Sequence, residues 1–446
     1  MSGLAGQRVL VIGLGISGYA AARALLHLDA KVRVTDSSSS ADVVERAERL
    51  AREGAEVELG GHELEGIDAD LAVVSPGIPP HSEVVQAVRA AGIEVVGEVE
   101  LAYRLAGCDF LAVTGTNGKT TTTSLLAAML ESGGLPSAAA GNIGLPLIDA
   151  VFTIPSGGVI ALEVSSFQLD ATKRFRPRVA VLLNIAEDHT DWHGTIADYA
   201  AAKARITANQ TPADFFVVNA ADDRVMRIAR TSRARVIPFS AHGVPPGGAG
   251  VREGSVVVGD DPLMAVDELP LRGLAGLEDT LAAAAAALAY GVDRSAVVRA
   301  VKGFRPLPHR LELVAEAGGV SYIDDSKATN PHATLAAVQG LTDVVLIAGG
   351  RSKGIDLSPL AQAVPPVRAA VVLGEARDEV REVLEDLVPT VVVDSMDEAV
   401  AVAAAAAVPG GSVLLSPGCA SLDMYESYAQ RGEDFARCVR ASIGGA

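Results

Sequence analysis

Short runs of aliphatic and β-branched residues recur along this chain, separated by stretches with a helical pattern. The runs are VLVIG near Val9, VRVTD near Val32, LAVVS near Leu71, LAVTG near Leu111, VIALE near Val159, VAVLLN near Val179, VVLIAGG from Val344, AAVVLG from Ala369, TVVVD from Thr390 and SVLLSPG from Ser412. Strands that alternate with helices are typical of βαβ units, in which the strands of one sheet run parallel. The sequence therefore predicts an α/β protein built on parallel sheets.

The length of the chain requires more than one domain. A density of about one domain per 100 to 200 residues predicts roughly two to four domains for 446 residues, and we expect three. A break near Gly97 ends the first set of strands, and Pro306 and Pro308 disfavour a continuous helix through FRPLPHR. The expected domains are therefore residues 1–97, 98–306 and 307–446.

Two kinds of biased segment lie inside these domains. The Gly/Pro-rich stretch at residues 243–255 is predicted to be a loop of the middle domain, followed by a short strand at VVV. The Ala-rich runs at residues 281–288 and 399–408 are too short and too weakly apolar to span a bilayer. They are predicted to be packed helices.

The charge and the cysteines restrict partners and compartment. A formal net charge of -18 repels the phosphates of nucleic acids and anionic membranes, so neither is an expected partner. Cys108, Cys419 and Cys438 show no metal-ligand spacing and are odd in number, so we expect free thiols in a reducing compartment. Because the first residues run into an apolar strand without a secretion signal, we expect a cytoplasmic protein that does not insert into a membrane.

A glycine-rich turn, GLGISG at residues 13–18, follows the first strand and precedes a helical pattern, and Asp36 ends the next strand. The glycines let the backbone approach a diphosphate closely, while the helix N-terminus presents N–H groups to it. The pattern predicts a Rossmann-like domain that binds a nucleotide diphosphate, with NAD as the usual ligand. A plain tight turn would also need glycines, so that interpretation stays open.

A second turn, TGTNGKTTT at residues 114–122, also lies between a strand and a helix. In such a loop Lys119 would reach the terminal phosphates of a nucleotide and Thr120 would ligate Mg²⁺. The generic phosphate loop has a glycine five residues before its Gly-Lys pair, where this chain has Val113. The sequence predicts a shorter phosphate loop, and the alternative is a polar helix cap.

Polar residues follow two further strands of the middle domain. Glu163 ends VIALE, where a carboxylate beside a phosphate loop is a natural Mg²⁺ ligand or else caps the next turn. The run NIAEDHTDWH at residues 184–193 places His189 among acids, which suits metal or transition-state chemistry, whereas His193 is expected to be a bystander. Lys203, in YAAAKARI, either extends to solvent or is held at the site, where reaction with CO₂ would make it a carbamate.

Three loops of the last domain follow predicted parallel strands. They are DDSKATN at residues 324–330, GGRSKG at residues 349–354 and SPGCASLD at residues 416–423. Ligands of open α/β sheets bind at the carboxyl ends of the strands. The Lys, Ser and Thr content of the loops suits a dicarboxylate, and ordinary loop polarity is the alternative for each loop taken singly.

Together these motifs resemble the Mur ligase family over essentially the whole chain. The resemblance rests on TGTNGKTTT, EVSSFQL, NIAEDHTDWHG, YAAAKARI, PHRLE, DDSKATNP, AGGRSKG and LLSPGCASLDMY. GLGISG, SPGIPP and AGNIGLP, with DDSKATNP and SPGCASLD, resemble the member that adds D-glutamate to UDP-N-acetylmuramoyl-L-alanine. The resemblance implies a Rossmann-like first domain, a central P-loop ATPase domain with a parallel sheet and a Rossmann-like third domain. It also implies a monomeric ligase that uses ATP and Mg²⁺ in peptidoglycan precursor synthesis.

The resemblance implies a role for each candidate residue. The expected contacts to the UDP substrate, in place of NAD, are Ile16, Ser17, Asp36, Ser37, Gly77 and Asn142. The expected ATP-binding residues are Gly115, Thr116, Asn117, Gly118, Lys119, Thr120, Thr121, Arg310 and Asp325. The expected site for two Mg²⁺ ions comprises Thr120, Glu163, His189 and a carbamylated Lys203. The expected D-glutamate contacts are Lys327, Thr329, Lys353, Ser421, Leu422 and Tyr428. The expected catalytic residues are Lys119, His189, Lys203 and Arg310.

The chain departs from the family pattern at two places. Tyr428 stands where the family usually has Phe, a change that a backbone contact tolerates. Residues 276–282, GLEDTLA, lack the two Asn residues with which relatives contact adenine, so we expect ATP to be held mainly through its phosphates. Three alternatives remain at this point: a folate polyglutamate or other muramyl-peptide ligase, an NAD-dependent dehydrogenase, and a catalytically silent nucleotide-binding scaffold.

Overall fold

The computed structural model describes residues 3–63, 66–271, 273–305, 307–352 and 354–444. Within them the strands form three separate sheets, one for each of three α/β domains. The α/β fold class with three domains is therefore confirmed. The exact boundaries at 97/98 and 306/307 stay predictions, and Pro306 itself lies outside the described residues.

The first domain is an open parallel sheet with helices on both faces. Its elements are β1 (Arg8–Ile12), α1 (Ile16–His27), β2 (Lys31–Asp36), α2 (Ala41–Arg52), β3 (Glu56–Leu59), β4 (Leu71–Val74), α3 (Glu83–Ala90) and β5 (Glu94–Gly97). The strands lie parallel in the order β3-β2-β1-β4-β5. Val9 and Val11 of β1 pack with α1 and α2, whereas Leu10 and Ile12 pack with α3, because successive side chains of a strand point to opposite faces.

The second domain is built on a nine-stranded sheet in the order β14-β13-β12-β11-β10-β9-β6-β8-β7. Its elements are α4 (Glu98–Leu105), β6 (Asp109–Thr114), α5 (Lys119–Ser132), β7 (Ser137–Gly141), α6 (Leu147–Thr153), β8 (Val159–Glu163), α7 (Ser166–Asp170), β9 (Val179–Leu182), α8 (Thr190–His193), α9 (Ile196–Ala204), β10 (Phe215–Asn219), α10 (Asp223–Ala229), β11 (Arg235–Ser240), β12 (Ala249–Arg252), β13 (Ser255–Val258), β14 (Asp261–Ala265), α11 (Gly273–Tyr290) and α12 (Arg294–Gly303). From β12 to β7 the strands run parallel, and β13 and β14 continue the sheet as an antiparallel meander.

One prediction for this domain is wrong. Residues 243–255 were expected to form a loop, but β12 lies inside them and pairs with both β11 and β13. The backbone of Gly243 lies so close to Gly250 that a Cβ on Gly250 would be 2.0 Å from the carbonyl oxygen of Gly243. The glycine therefore permits a close backbone approach within a strand instead of marking a loop.

The third domain carries a six-stranded sheet. Its elements are β15 (Glu312–Ala317), β16 (Val320–Asp324), α13 (Pro331–Val338), β17 (Val344–Gly349), β18 (Val367–Leu373), α14 (Arg377–Leu384), β19 (Thr390–Val392), α15 (Met396–Ala406), β20 (Ser412–Gly418) and α16 (Tyr428–Gly444). The order is β15-β16-β20-β17-β18-β19, with only β15 antiparallel to its neighbour.

Small aliphatic residues allow close packing of the helices. The Ala-rich run at residues 281–287 of α11 is buried throughout and packs against α5 and the central sheet. The Ala-rich run of the third domain lies in α15, so both predicted packed helices are confirmed. In the described part of the chain, no helix combines the length and the apolar character that crossing a bilayer requires.

A buried carboxylate ties α4 to the segment that leads into β9. Glu100 has no exposed surface and accepts the backbone N–H groups of Lys173, Arg174 and Phe175 at 2.8 to 3.0 Å. Arg104 donates to it from Nε at 2.8 Å. Burial on its own would raise the pKa of Glu100, but these donors outweigh burial, and the pKa lies below its ordinary value.

We expect Glu100→Ala to lower the free energy of unfolding by about 3 kcal/mol, because it leaves Arg104 and three N–H groups without a buried acceptor. Denaturant unfolding at neutral pH measures the loss. Since the pKa of Glu100 is depressed in the folded state, its contribution is present above the ordinary value of 4.5 and is lost as the pH falls. Glu94→Ala is the matched control: Glu94 binds the same Arg104 but is 36% exposed, so we expect about 1 kcal/mol or less. Equal losses would contradict the prediction.

Candidate active site

A cavity of about 420 Å³ lies between the second and third domains. The loop at residues 115–118, which is the predicted phosphate loop, lines it together with the start of α5 and the end of β8. From the third domain the cavity receives residues 327–330 and the first residue of α16. It therefore lies at the carboxyl ends of parallel strands, where side chains from several loops converge.

The loop at residues 115–118 is tightly constrained. Gly118 has φ of 83°, and a Cβ there would lie 2.3 Å from Oδ1 of Asp279. Glycine is therefore required both by the conformation and by the space. The loop is also held from the side of β9, because the Thr116 hydroxyl accepts from the N–H of Ala186 at 3.0 Å and donates to its carbonyl at 3.2 Å.

Two lysine amines, from the partly buried Lys119 and the fully buried Lys203, donate to the same loop carbonyl. Lys119 Nζ donates to the carbonyls of Gly115 and Thr116 at 3.0 and 2.8 Å, and Lys203 Nζ donates to that of Gly115 at 2.8 Å. Burial lowers the pKa of Lys119, and burial together with the nearby charge of Lys119 lowers the pKa of Lys203 far below its ordinary value. Lys203 therefore does not extend to solvent: it is 1% exposed, and its ammonium lies 4.4 Å from the centre of the Tyr199 ring.

Carboxylates face these amines. Glu163 ends β8, is 1% exposed and accepts from the Asn142 side-chain amide at 2.8 Å through Oε1. Its Oε2 is buried and has no hydrogen-bond partner among the described residues. Asp188 and His189 line the same cavity. A buried carboxylate oxygen without a protein donor is the kind of group that a cation satisfies.

His189 lies against an aromatic group. It has φ of 53°, and its ring lies edge-on to Phe167 at 4.8 Å between centroids. Trp192 and His193 pack on the same phenylalanine at 4.6 and 5.5 Å. His193 also shares a 3.0 Å hydrogen bond with Ser166 and does not line the cavity.

The third domain supplies positive charge to the cavity. Arg310 and Lys327 line it, and Lys327 Nζ donates to the Thr120 hydroxyl at 3.2 Å while lying 5.1 Å from the centre of the Tyr428 ring. Burial lowers the pKa of Lys327 to about 8. Asp325 is 8% exposed, accepts from the Ser416 hydroxyl at 2.9 Å, and burial raises its pKa to about 7.

The structure does not bring all the predicted D-glutamate contacts together. Lys327, Thr329 and Tyr428 line the cavity, whereas Ser421 and Leu422 do not. Ser421 is buried, and its carbonyl oxygen accepts the N–H groups of residues 424 and 425. Leu422 is 55% exposed. Lys353 lies outside the described residues.

Most of the predicted UDP contacts lie in another place, at the carboxyl edge of the first sheet. Ile16 and Ser17 begin α1, and Asp36 ends β2. The Asp36 carboxylate accepts the N–H groups of Leu14 at 2.5 Å and Ser38 at 2.7 Å, so it holds the turn together. Ser37 follows β2, Gly77 follows β4, and Asn142 alone of this set reaches the cavity beside Glu163.

The sequence reasoning did not single out Asp279. It lies on α11 in the segment that lacks the two adenine-contacting Asn residues, is 7% exposed and accepts from the Thr122 hydroxyl at 3.0 Å. Burial raises its pKa to about 7, although the charge of Arg310 opposes the shift. The only signal in the sequence is a pair of adjacent acids, Glu278 and Asp279, within an otherwise largely apolar helix.

A larger cavity, of about 670 Å³, lies between the first and second domains. Among its charged residues, Arg205 donates to the carbonyls of Leu169 and Thr172, and Glu94 binds Arg104 and Lys173. Glu98 also lines it, with a buried Oε2 that has no hydrogen-bond partner among the described residues. The smaller cavity differs because it combines such a carboxylate oxygen with lysines of lowered pKa and a constrained glycine loop. We therefore take the smaller cavity as the candidate active site.

Family models match the chain in three consecutive segments. They are the "Mur ligase MurD-like, N-terminal domain" at residues 7–97, the "Mur ligase middle domain" at residues 113–287 and the "Mur ligase, glutamate ligase domain" at residues 309–419. Among solved structures, MurF of Acinetobacter baumannii has a TM-score of 0.63 at 19% identity, covering 96% of this chain and 93% of its own. The UDP-N-acetylmuramate-alanine ligase of Thermotoga maritima has a TM-score of 0.59 at 19% identity, covering 98% and 100%. These structures show the fold.

Curated relatives are similar over nearly the full length. The UDP-N-acetylmuramoylalanine--D-glutamate ligase of Acidobacterium capsulatum is 43% identical, covering 99% of this chain and 98% of its own. The protein of the same name from Frankia casuarinae is 46% identical, covering 99% and 95%. Since the family models follow one another in order along the chain and these relatives align with almost all of it, the chain belongs to the Mur ligase family.

Proposed function

We propose that this chain is an ATP-dependent ligase that adds D-glutamate to UDP-N-acetylmuramoyl-L-alanine, with release of ADP and phosphate, in peptidoglycan precursor synthesis. The observation that carries the proposal is the pair of lysine amines, from Lys119 and Lys203, that donate to the Gly115 carbonyl beside Glu163, whose Oε2 has no hydrogen-bond partner among the described residues. The names of the full-length relatives supply the substrates. Three partners follow: the UDP-sugar acceptor, D-glutamate and ATP.

The loop at residues 115–118 and the first turn of α5 hold the ATP phosphates in this proposal. The backbone N–H groups at a helix N-terminus favour anions, and Lys119 turns from the loop carbonyls to the terminal phosphates. Arg310 approaches the same phosphates from the third domain, and Asp325 helps to position the nucleotide. Phosphoryl transfer needs mainly positioning and charge neutralisation, which these groups provide.

The residues of the cavity fit Mg²⁺. Two Mg²⁺ ions would be held by Thr120, Glu163, His189 and a carbamylated Lys203. This assignment is supported by Glu163 Oε2, which is buried and has no hydrogen-bond partner among the described residues. Oxygen ligands of this kind suit a hard cation. When bound, the two ions would neutralise charge on the transferring phosphoryl group.

Lys203 is suited to carbamylation. Only a neutral amine attacks CO₂, and burial lowers the pKa of Lys203 far below its ordinary value. The ammonium group first loses one proton; the neutral Nζ then bonds to the carbon of CO₂ and releases a second proton, so a cation becomes an oxygen-bearing anion. A negative group at this position would also relieve the repulsion between Lys203 and Lys119.

The reaction proceeds through an acyl phosphate in this proposal. A carboxylate oxygen of the acceptor alanine attacks the γ-phosphorus of ATP and ADP leaves. The amine of D-glutamate then attacks the acyl carbon, loses a proton and expels phosphate, so no covalent protein nucleophile is needed. His189 orients the acceptor carboxylate, and Lys119 and Arg310 offset the negative charge that develops on the transferring group.

The remaining assignments concern the other two substrates. We place the UDP part of the acceptor on Ile16, Ser17, Asp36, Ser37 and Gly77, and its sugar end near Asn142. We place D-glutamate on Lys327, Thr329, Lys353, Ser421, Leu422 and Tyr428. The three cysteines are free thiols, which supports a cytoplasmic location, and the proposed enzyme acts as a monomer.

The proposal predicts ADP formation that requires both UDP-N-acetylmuramoyl-L-alanine and D-glutamate, with L-glutamate inactive. Coupled ADP detection measures it. Lys119→Ala should abolish turnover, by at least about a thousandfold, without changing the melting temperature by more than a few degrees, since the loop is a strand-to-helix turn at a cavity wall. Lys302→Ala is the matched control, because Lys302 pairs with Glu268 at the surface and does not line the cavity, and it should keep full activity. Full activity in Lys119→Ala would overturn the assignment.

Lys203→Ala should lose activity, because the carbamate oxygens are lost, and short carboxylates such as acetate should restore part of it by occupying the vacated space. Initial rates with and without added acetate measure the effect. Lys119→Ala under the same acetate concentrations should stay inactive, which separates rescue of the carbamate from a general salt effect. Wild-type rates in Lys203→Ala would remove the carbamate from the mechanism.

Asp279 should make ATP affinity depend on pH. Its Oδ1 lies against Gly118, and with a pKa of about 7 it is mostly neutral below that pH and ionised above it. The ionised form would repel the phosphates, so KM for ATP should rise about tenfold from about pH 6 to about pH 8.5. Arg310 and Glu278 are the other charged groups that affect Asp279. Asp279→Asn should flatten the profile; an unchanged profile would show that another group causes the dependence.

A further inference from the structure

Two side-chain amides join the glycine loop to the third domain. Asn117 Nδ2 donates to Asn330 Oδ1 at 3.3 Å, and Asn330 Nδ2 donates to Asn117 Oδ1 at 3.2 Å. Asn330 is 3% exposed, so the pair is largely shielded from water. A reciprocal pair of this kind satisfies both amides at once and fixes their relative position.

Both ends of the amide pair are anchored in their own domains. On the second domain, Asn184 brackets the backbone of Asn117: its Oδ1 accepts the Asn117 N–H at 2.8 Å, and its Nδ2 donates to the Asn117 carbonyl at 3.3 Å. On the third domain, Asn330 is the N-cap of α13, since its Oδ1 also accepts the N–H of Ala333 at 2.9 Å. The pair therefore links two rigid elements, not two mobile side chains.

Another hydrogen bond between the same segments behaves differently. Lys327 Nζ donates to the Thr120 hydroxyl at 3.2 Å, which is the atom that the proposed function assigns to Mg²⁺. That bond has to break when the metal and the nucleotide bind. The proposed function gives the backbone of the loop, including that of Asn117, to the ATP phosphates, whereas the Asn117–Asn330 pair uses the neutral side-chain amides, so it can persist while the cavity is occupied.

We propose that Asn330 is a positioning residue, whose amide pair with Asn117 holds the third domain in register on the phosphate loop throughout the reaction. Asn184 braces the loop from the opposite side, so that the three asparagines form one connection from β9 through the loop to α13. The inference rests on the proposed function for its kinetic consequence. Without the pair, the third domain loses two hydrogen bonds to the phosphate loop. A smaller fraction of molecules then has Arg310 and the amino-acid contacts facing the acyl phosphate.

The test uses Asn330→Ser, because serine also caps helices well and keeps α13 intact but is too short to reach Asn117. Asn117→Ala removes the same pair from the side of the second domain and leaves the N-cap of α13 unchanged. The double variant completes a double-mutant cycle. Ser395→Ala is the matched control: Ser395 caps α15 of the same domain at the surface, so its loss should affect stability and leave kinetics unchanged.

Asn330→Ser should lower kcat/KM for D-glutamate about tenfold in the wild-type background and less than about twofold in the Asn117→Ala background. The Kd of a non-hydrolysable ATP analogue should stay within about twofold of wild type, because Asn330 contacts the loop and not the phosphates. If Asn330 had a purely structural role, Asn330→Ser would instead weaken kcat/KM and ATP-analogue binding together, and by the same factor in the wild-type and Asn117→Ala backgrounds. Additive losses, or wild-type kinetics in Asn330→Ser, would overturn the proposal.

Small-angle X-ray scattering in the presence of the ATP analogue tests the amide pair without requiring turnover. Asn330→Ser, Asn117→Ala and the double variant should share one radius of gyration, larger than that of the wild type and of Ser395→Ala. Identical radii in all proteins would overturn the proposal whatever the enzyme ligates. A wild-type protein without D-glutamate-dependent ADP formation would instead refute the proposed function and leave the scattering result to decide on the amide pair.

Discussion

The carbonyl oxygen of Gly115 accepts hydrogen bonds from the partly buried Lys119 and the fully buried Lys203. Two ammonium groups on one carbonyl in a region of low dielectric repel each other strongly, so the local structure has to supply compensating charge. Glu163 and Asp188 do this in part. In the resulting site the Lys203 amine loses its proton easily, and Oε2 of Glu163 has no hydrogen-bond partner among the described residues.

This arrangement depends on the backbone more than on any one side chain. Gly118 fits only because it has no Cβ beside Asp279, and the residue 115–118 loop is held by Ala186 and Asn184 from the end of the neighbouring strand. The strands β6, β8 and β9 are adjacent and parallel, so their carboxyl ends bring the loop, Glu163 and residues 184–189 to one edge. The small aliphatic core, with an almost all-alanine stretch in α11, lets that helix approach closely enough for Asp279 to reach the loop.

The sequence predicted the elements that have a clear local pattern. The β-branched runs are strands, the Ala-rich runs are helices, and TGTNGKTTT is a strand-to-helix loop. The sequence did not indicate β7, because SAAAG lacks β-branched residues and forms a strand by pairing with β8. It did not indicate β12 either, because its glycine-rich surroundings are typical of a loop. The contacts of Asp279 and of the amide pair join residues far apart in the chain, with Asn117 and Asn330 separated by 213 positions, so periodicity and local motifs do not show which partners these residues meet.

The backbone on either side of Arg310 is strained, and contacts within the third domain hold it in that conformation. His309 and Leu311, on either side of Arg310, have φ of 61° and 46°, and this stretch is held by the bond of His309 Nδ1 to Asp324 at 2.7 Å and that of the Leu311 N–H to Asp325 at 3.3 Å. Left-handed backbone at non-glycine residues costs free energy and persists only where the surroundings fix it. Here the constraint directs Arg310 into the cavity, so the stability of the third domain maintains a geometry that serves the loop of the second.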